Sequence, residues 1–283
     1  MKREYRFNII KIILLIYAIC FGFREIEYMF LRTDQGILGE AVIHKVIGIV
    51  ILSVALKVLS VEWREIGFSR RYPERYVLYG LLIGAFSFAI AYGVELYIQH
   101  INGNAPMLDI YVTSYSISGN IGKNTGILFF AICIIGNIIN VLMEEGLFRG
   151  LFLRLAEREC TFFGAAAISS VLFGIWHLSA PIRSFIDGEL NLKGFVIISI
   201  ILFITTLLAG VKFCLMTKLS GSLWMPMADH FFNNTIINTL HIVTQSGMDE
   251  MQIIRISIAQ SISFIIVVLI YLKTKAWNKK TFR

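Results

Sequence analysis

Apolar residues occur in eight long runs along the chain, separated by short polar stretches. An α-helix needs roughly 20 residues to cross the hydrocarbon core of a bilayer. The predicted fold class is therefore all-α, a polytopic transmembrane helix bundle of about eight helices. The runs cover Phe7 to Phe23, Leu38 to Leu59, Val77 to Ile98, Gly126 to Leu147, Phe162 to Ile182, Phe195 to Leu215, Leu223 to Val243 and Ile253 to Leu272.

The composition agrees with a membrane location. Hydrophobic residues make up 57% of the chain and charged residues 16%, and the mean hydropathy is +0.72, whereas a soluble domain has about 25% charged residues. No Pro-rich or Gly-rich linker divides the sequence, so residues 1–283 are expected to form a single integral-membrane domain. The first run has no small-residue cleavage site after it and is predicted to be a retained helix.

Basic residues cluster on one side of the predicted bundle. With the N-terminus inside, the inner loops and span ends hold nineteen Lys and Arg residues, the outer segments hold six, and Lys45 lies inside a span. Because Lys and Arg gather in cytoplasmic loops, both termini are predicted to be cytoplasmic. The net charge of +7 then reflects topology and attraction to anionic membrane lipids, and no nucleic-acid partner is needed.

Two adjacent carboxylates and an arginine lie at the end of the fourth run. Asn137, Asn140 and Glu144 are spaced by three and four residues and so share one helical face. Glu145 and Arg149 form an i,i+4 pair on the neighbouring face. An ionisable side chain at bilayer depth is costly unless it meets a polar cavity or a partner. We therefore expect Glu144 to face a functional cavity and Arg149 to hold Glu145.

Two further polar motifs occur in the fifth and seventh runs. Phe173 and His177 are one turn apart, and His230, Asn234 and Asn238 form a stripe at a spacing of four. Polar stripes in an apolar bundle are expected to face each other, because lipid would leave their hydrogen bonds unmade. The sequence therefore predicts that the stripe of the seventh helix faces that of the fourth.

A hairpin of the fourth and fifth helices would bring Glu144 and His177 to the same height. Glu144 lies sixteen residues before Cys160 and His177 seventeen after it, which is about 25 Å along each helix. The hydropathy limits disagree, since they place Glu144 near the inner end of its run and His177 near the outer end of its own. A fourth helix that continues past Arg149, or a tilted fifth helix, would reconcile the two estimates.

A carboxylate, two imidazoles and an amide that converge in an apolar bundle suit hydrolysis. Glu144 is expected to take a proton from water and deliver it to a leaving amine. His177 would help to hold that water, and His230 and Asn234 would bind the water or donate to an oxyanion. The alternatives at each position are a structural ion pair, a transport residue or a hydrogen-bonded core histidine, because short motifs give many false positives.

Other polar and aromatic residues carry weaker predictions. His44, four residues after Glu40, is expected to form a packing or interface pair with it. His241 lies near the end of a run, where solvation is expected. Asp229 points away from the predicted catalytic face and is a candidate for a supporting role. Trp176 is expected to be a core or interface aromatic.

The motifs resemble those of the CPBP family of intramembrane proteases, also called Abi, which includes type II CAAX prenyl proteases and bacteriocin-processing or self-immunity proteins. The family pattern is EExxxR, then FxxxH, then HxxxN or HxxxD, and the resemblance covers residues 126–240. It implies a catalytic core there, with Glu144 activating water. The matching residues are Glu144, His177, His230 and Asn234 as the catalytic set, supported by Glu145, Arg149, Asn140 and Phe173.

The resemblance leaves the metal and the substrate open. Family members have been described as zinc-dependent, which would make His177 and His230 candidate ligands, and also as glutamate proteases without zinc; no organic cofactor is expected. The expected partners are membrane lipids and a peptide or lipidated-protein substrate, either a CAAX-box protein or a bacteriocin or signalling-peptide precursor. The expected location is the plasma membrane of a prokaryote. The alternatives are a noncatalytic scaffold, a bacteriocin self-immunity protein and a transporter.

Overall fold

Helices form most of the chain in the computed structural model, which describes residues 2–35, 40–114 and 121–281. Each of the eight predicted runs contains a helix, so the predicted all-α bundle is confirmed. The α-helices are α1 (Lys2–Ile26), α2 (Ile43–Val58), α3 (Pro73–Ile101), α4 (Ile127–Glu145), α5 (Leu153–Glu157), α6 (Phe162–Trp176), α7 (Ser179–Ile186), α8 (Leu192–Ser220), α9 (Trp224–Thr239) and α10 (Gln252–Thr281).

Within the described residues, five helical rods are long and apolar enough to cross a membrane. They are Pro73–Ile101, Ile127–Glu157, Phe162–Ile186, Leu192–Ser220 and Gln252–Lys275. The other three predicted runs contain α1, α2 and α9. Helices α2 and α9 have 16 residues each, which is short of a full crossing. Residues 38 and 39, at the start of the second predicted run, lie outside the described part of the chain, and the orientation of the termini stays a prediction.

The fourth rod extends beyond its predicted end at Leu147. A π-helical segment, Gly146–Phe152, continues α4 directly and leads into α5. This continuation past Arg149 is the arrangement that reconciles the two estimates of the depth of Glu144. The fifth run is shorter as a single helix than predicted, because α6 ends at Trp176 and the separate helix α7 follows.

Two small antiparallel sheets lie beside the end of α9, where the sequence predicts only helix and loop. Strands β1 (Met107–Ile110) and β4 (Leu240–Val243) form one sheet, and β2 (Val112–Ser114) and β3 (Ile121–Asn124) form the other. The prediction of helix as far as Val243 is wrong, because the backbone becomes extended at Leu240 and pairs with β1. A short apolar run rich in β-branched residues fits a strand as well as a helix.

Glycines on α3 allow α9 to approach closely. A Cβ atom at Gly80 would collide with the carbonyl oxygen of Met225 and would lie 2.8 Å from the Cβ of Ala228. A Cβ atom at Gly84, one turn later, would lie 3.0 Å from the ring of Phe232. Small residues four apart permit such close packing between membrane helices. The position of α9 is therefore fixed against the backbone of α3.

The largest apolar cluster lies between α1, α2, α6 and the rod formed by α4, the π-helical segment and α5. Phe148, which is fully buried, is at its centre. The centroid of its ring lies 5.1 Å from that of Phe173 and 5.7 Å from that of Trp176, both in edge-to-face geometry, which is a favoured arrangement of aromatic pairs. This cluster holds the π-helical segment against α6.

A buried ionic network lies beneath the strands. His241 is fully buried, so its predicted solvation is wrong. Its Nδ1 lies 2.6 Å from Asp249 Oδ2 and its Nε2 lies 3.0 Å from the carbonyl oxygen of Tyr111. Both ring nitrogens therefore face oxygen atoms of the network. Arg255 binds Asp249 at 2.7 Å and Glu95 at 2.8 Å, which ties the strand region to α3 and α10.

Replacing Asp249 with Asn tests this network. Burial alone would raise the pKa of Asp249, but hydrogen bonds from His241 and Arg255 outweigh it and hold the pKa below its ordinary value of 3.8. A lowered pKa in the folded state gives stability that is present above the ordinary pKa and lost as the pH falls through the folded value. We expect Asp249→Asn to lower the melting temperature at pH 7 by about 5 °C or more, measured by thermal unfolding in detergent.

The matched control is Asp109→Asn, because Asp109 forms a more exposed ion pair with Lys123 that contributes little. We expect wild-type stability to fall below about pH 4 and this loss to be smaller in Asp249→Asn. Equal melting temperatures for wild type and Asp249→Asn at pH 7 would contradict the role given to the network.

Candidate active site

The two carboxylates of the first motif lie at the junction between α4 and the π-helical segment. Glu144 is 3% exposed and Glu145 is fully buried, and the π-helical segment begins at the next residue, Gly146. Short π-helical insertions are rare and occur frequently at functional sites. A regular helix would turn the two side chains about 100° apart, yet both reach the same imidazole, that of His230 on α9.

Glu145 holds His230 in a defined orientation. Its Oε1 accepts hydrogen bonds from His230 Nδ1 at 2.9 Å and from Arg149 Nη1 at 3.3 Å. The predicted i,i+4 pair is therefore present, and the histidine is a partner that the sequence did not indicate. Because Nδ1 donates to Glu145, the other ring nitrogen of His230, Nε2, is left to face Glu144.

Aromatic rings surround the Glu145–Arg149 pair. The guanidinium carbon of Arg149 lies 3.9 Å from the ring centroid of Phe173 and 5.0 Å from that of Phe213. Phe213 also stacks on the His230 ring at 5.1 Å. A cation against aromatic faces in a desolvated site is stabilised by the ring quadrupoles. The predicted supporting residue Phe173 therefore contacts both the arginine and, at a ring distance of 6.2 Å, His230.

Glu144 faces His230 without bonding to it directly. Its Oε2 lies 3.7 Å from His230 Nε2, which is beyond hydrogen-bond distance. Its other oxygen, Oε1, accepts a hydrogen bond of 3.0 Å from the indole nitrogen of Trp176 on α6. One carboxylate oxygen is thus held by the indole and the other faces an imidazole across a short gap.

His177 lies at the end of α6 and interacts with the same carboxylate. Its Nδ1 donates a 2.8 Å hydrogen bond to the carbonyl oxygen of Phe173, which leaves Nε2 as the acceptor of the neutral ring. His177 is an electrostatic neighbour of both Glu144 and His230. The structure therefore brings together the three ionisable residues that the sequence predicted to meet.

The polar stripes of α4 and α9 face each other, as predicted. Asn137 donates a 3.2 Å hydrogen bond to the hydroxyl of Thr235, and Asn238 bonds the thiol of Cys133. Asn140, one turn before Glu144, is buried in the same region of α4. The seam between the two helices is therefore lined by amides over several turns.

Asn234 lies one turn after His230 on α9 and is partly buried. Its Oδ1 accepts a 3.0 Å hydrogen bond from the amide nitrogen of Asn233. Its Nδ2 is the only hydrogen-bond donor on its side chain. The helical spacing places this amide on the His230 face of α9.

Sequence reasoning missed the role of Trp176, which is more than a core aromatic because it donates to Glu144. It also missed Arg24, which is 5% exposed and lies over the Trp176 ring at 4.8 Å. Arg24 donates to Ser179 at 3.2 Å and to His44 Nε2 at 3.1 Å, and it is an electrostatic neighbour of Glu144. For Trp176, the signal available in the sequence was its position directly before His177 of the second motif.

The predicted pairing of His44 with Glu40 is wrong. His44 Nδ1 lies 2.7 Å from Glu27 Oε2, and Glu40 instead pairs with the neighbouring Lys45. Helical spacing of four placed the histidine and Glu40 on one face, but α2 begins only at Ile43. Glu40 therefore lies outside the helix, where that spacing has no meaning.

The arrangement does not by itself define a zinc site. Among the residues that the structure describes, no group of three or more His, Cys, Asp or Glu side chains is placed to hold one metal ion, and zinc sites use at least three protein ligands. His177 and His230 each have Nδ1 bound to a protein acceptor, so each has only Nε2 to offer.

The fold and this geometry place the chain among polytopic membrane proteins with a buried carboxylate–imidazole site. Residues 126–236 match the family model described as type II CAAX prenyl endopeptidase Rce1-like, which confirms the predicted resemblance to the CPBP family of intramembrane proteases. The match supports a CAAX-type intramembrane protease in general and, with the five rods that are long and apolar enough to cross a membrane, an integral membrane protein. No curated protein is a significant match to the chain.

Replacing Trp176 with Phe tests the contribution of the indole donor. The substitution keeps an aromatic ring in the buried cluster, but it removes the hydrogen bond to Glu144 and part of the side-chain volume. A hydrogen bond to a charged group contributes about 1.5–3 kcal/mol, so we expect kcat for peptide cleavage to fall about 10- to 100-fold, with a melting temperature lowered by the smaller ring in the core.

The matched control is Trp224→Phe, because the Trp224 indole donates to the backbone carbonyl of Ser69 at 2.7 Å, away from Glu144. Cleavage rates of the two variants would be compared in proteoliposomes. A rate for Trp176→Phe equal to that of Trp224→Phe would show that the indole donor has no part in catalysis.

Proposed function

We propose that this protein is an intramembrane endopeptidase that hydrolyses a peptide bond of a membrane-associated protein or peptide. The observation that carries the proposal is the pairing of Glu144 with His230 across the α4–α9 seam, with Glu145 fixing the ring of that histidine. Glu144 Oε2 faces His230 Nε2 at 3.7 Å without a direct hydrogen bond. Such a gap suits a small polar molecule that bonds to both groups.

Glu144 is the proposed general base. It takes a proton from water, and the resulting hydroxide attacks the carbonyl carbon of the scissile peptide to form a tetrahedral intermediate. The intermediate collapses when the C–N bond breaks, and Glu144 returns the proton to the leaving nitrogen. The products are a carboxylic acid and an amine, and the glutamate ends in its starting state.

The other residues of the motifs position the reacting groups. Glu145 fixes the Nδ1–H tautomer of His230 and directs Nε2 towards Glu144, where it binds the water or the intermediate. His177 supplies a second imidazole with Nε2 unused by the protein. Asn234 is the proposed donor to the oxyanion. Zinc bound by His177 and His230 remains a separate hypothesis that would be checked by metal analysis of the purified protein.

The proposed substrate is a prenylated protein with a C-terminal CAAX box, because the matched family is described by that activity. A bacteriocin or signalling-peptide precursor is the other substrate class that the motifs suggested. Both are held at the bilayer, where a site buried among the membrane rods can reach them. A noncatalytic scaffold or self-immunity protein on the same fold would need no hydrolysis.

Replacing Glu144 with Gln tests the proposed function. The amide keeps the size of the side chain and the acceptor for the Trp176 indole, but it cannot take a proton from water. General-base catalysis contributes about 10²- to 10⁴-fold, so we expect a loss of that size in the cleavage of a prenylated CAAX-box peptide in proteoliposomes. An unprenylated copy of the peptide would measure how far the lipid contributes to recognition.

The matched control is Glu157→Gln at the end of the same rod, where Glu157 pairs with Arg154 and Lys218 on the surface. Its activity is expected to equal that of the wild type. Mass spectrometry of cellular peptides would extend the comparison to unknown substrates. If the peptide profile and the phenotype of cells with Glu144→Gln matched those of the wild type, the scaffold hypothesis would replace the protease.

A further inference from the structure

A second buried polar cluster joins α8, α9 and α10 outside the catalytic motifs. Lys212 on α8 is fully buried, and its ammonium donates to Asp229 Oδ2 at 2.5 Å, to Gln260 Oε1 at 2.9 Å and to Ser263 Oγ at 3.1 Å. An ammonium has three N–H donors and no acceptor, so each donor has one partner. Buried charges are costly in a membrane bundle and are retained mainly where they have a function.

A directed chain of hydrogen bonds leads from this ammonium to Asn234. Because Lys212 only donates, the Gln260 amide has to present its oxygen to it. The Gln260 nitrogen then donates to Asn233 Oδ1 at 2.8 Å. The Asn233 nitrogen in turn donates to Asn234 Oδ1 at 3.0 Å. Each amide has one oxygen and one nitrogen, so the orientation of the first fixes that of the next.

We propose that Lys212, Gln260 and Asn233 are positioning residues that orient the Asn234 amide for catalysis. This inference rests on the proposed function. With its oxygen bound to Asn233, Asn234 has its NH₂ group left to donate to the oxyanion of the tetrahedral intermediate. None of the three residues belongs to the family motifs. Asp229, which lies next to His230 in sequence, serves the same chain by holding the ammonium in place.

The orientation matters because an amide turned by 180° keeps almost the same shape. A turned Asn234 would direct its carbonyl oxygen at the developing negative charge and replace an attraction with a repulsion. A side-chain amide has no intrinsic preference between the two orientations. A fixed positive charge at the far end of the chain removes that ambiguity, and fixed donors of this kind lower the barrier without reorganisation during the reaction.

A purely structural clamp between α8, α9 and α10 would use the same contacts, and Gln260→Glu separates the two roles. A glutamate at position 260 keeps the size of the side chain and pairs with Lys212, so a clamp would be preserved. Both oxygens of that carboxylate are acceptors, so Asn233 would have to donate to it. Asn233 would then offer its oxygen to Asn234, and the Asn234 amide would turn its own oxygen towards the substrate.

The experiment compares kcat and KM for a prenylated CAAX-box peptide in proteoliposomes. Gln260→Glu is expected to lower kcat about 100-fold, the size of effect seen when an oxyanion donor is lost, with KM within about 2-fold and an unchanged melting temperature. Gln260→Leu, which breaks the chain without reversing it, is expected to lower kcat less, about 10-fold. A clamp predicts the opposite order, with Gln260→Leu the more damaging change.

Further variants keep the test decisive. The control is Ser257→Ala on the same helix, which removes a hydroxyl that bonds to the backbone oxygen of Ile253 and leaves the chain of amides untouched, so its kcat is expected to stay within about 3-fold of wild type. Asn233→Asp is the second variant, to be used if Gln260→Glu fails to fold. Its carboxylate can only accept, so Asn234 would have to donate to it and would turn its own oxygen towards the substrate. Wild-type kcat in a folded Gln260→Glu or Asn233→Asp would overturn the inference. Full activity of Glu144→Gln would instead overturn the proposed function.

Discussion

The hydrogen bond between Glu145 and His230 is the contact on which the candidate site depends. It joins the end of α4 to α9 inside the bundle, although the two residues are far apart in sequence. The contact is direct, without a bridging water. It fixes which nitrogen of the imidazole carries a proton, and so it determines what the other nitrogen offers to Glu144. The carboxylate that makes this bond is held in turn by Arg149 and by the aromatic rings around it. The bond also joins α4 to α9 in the buried interior, so site and fold are stabilised by the same contact.

Two adjacent glutamates thus have different surroundings. Glu145 has a cation and an imidazole as partners for one of its oxygens, while Glu144 has an indole donor on one oxygen and the His230 imidazole at 3.7 Å from the other. Both side chains reach the same histidine from the last turn of α4, directly before the π-helical segment begins. The second polar cluster around Lys212 reaches the site from the opposite direction, through α9. The residues on α9 that carry the third motif are therefore held by charged groups on two neighbouring elements, Arg149 through Glu145 and Lys212 through Gln260.

Most of the helices could be predicted from the lengths of the apolar runs. A helix in lipid has to be apolar over its whole length, so it is visible in the sequence alone. The three motifs also followed, since polar residues at spacings of three and four stand out against that background. Their meeting could be predicted from residue counts, but the partner of each side chain could not. Trp176 looked like any buried aromatic, and the burial of His241 depends on Asp249, Arg255 and a strand pairing that bring distant segments together. The π-helical segment could not be predicted, because its residues suit an ordinary α-helix equally well.

Where His44 and Glu40 were expected to pair, the helix begins too late for their spacing to apply, and a one-dimensional pattern cannot place such a boundary.

The close packing of α3 and α9 has another kind of consequence. Gly80 and Gly84 leave no room between the two helices, so a side chain at either position would push α9 away from α3. Helix α9 also carries His230, so a substitution on α3, outside the three motifs, would change the distance between that imidazole and Glu144.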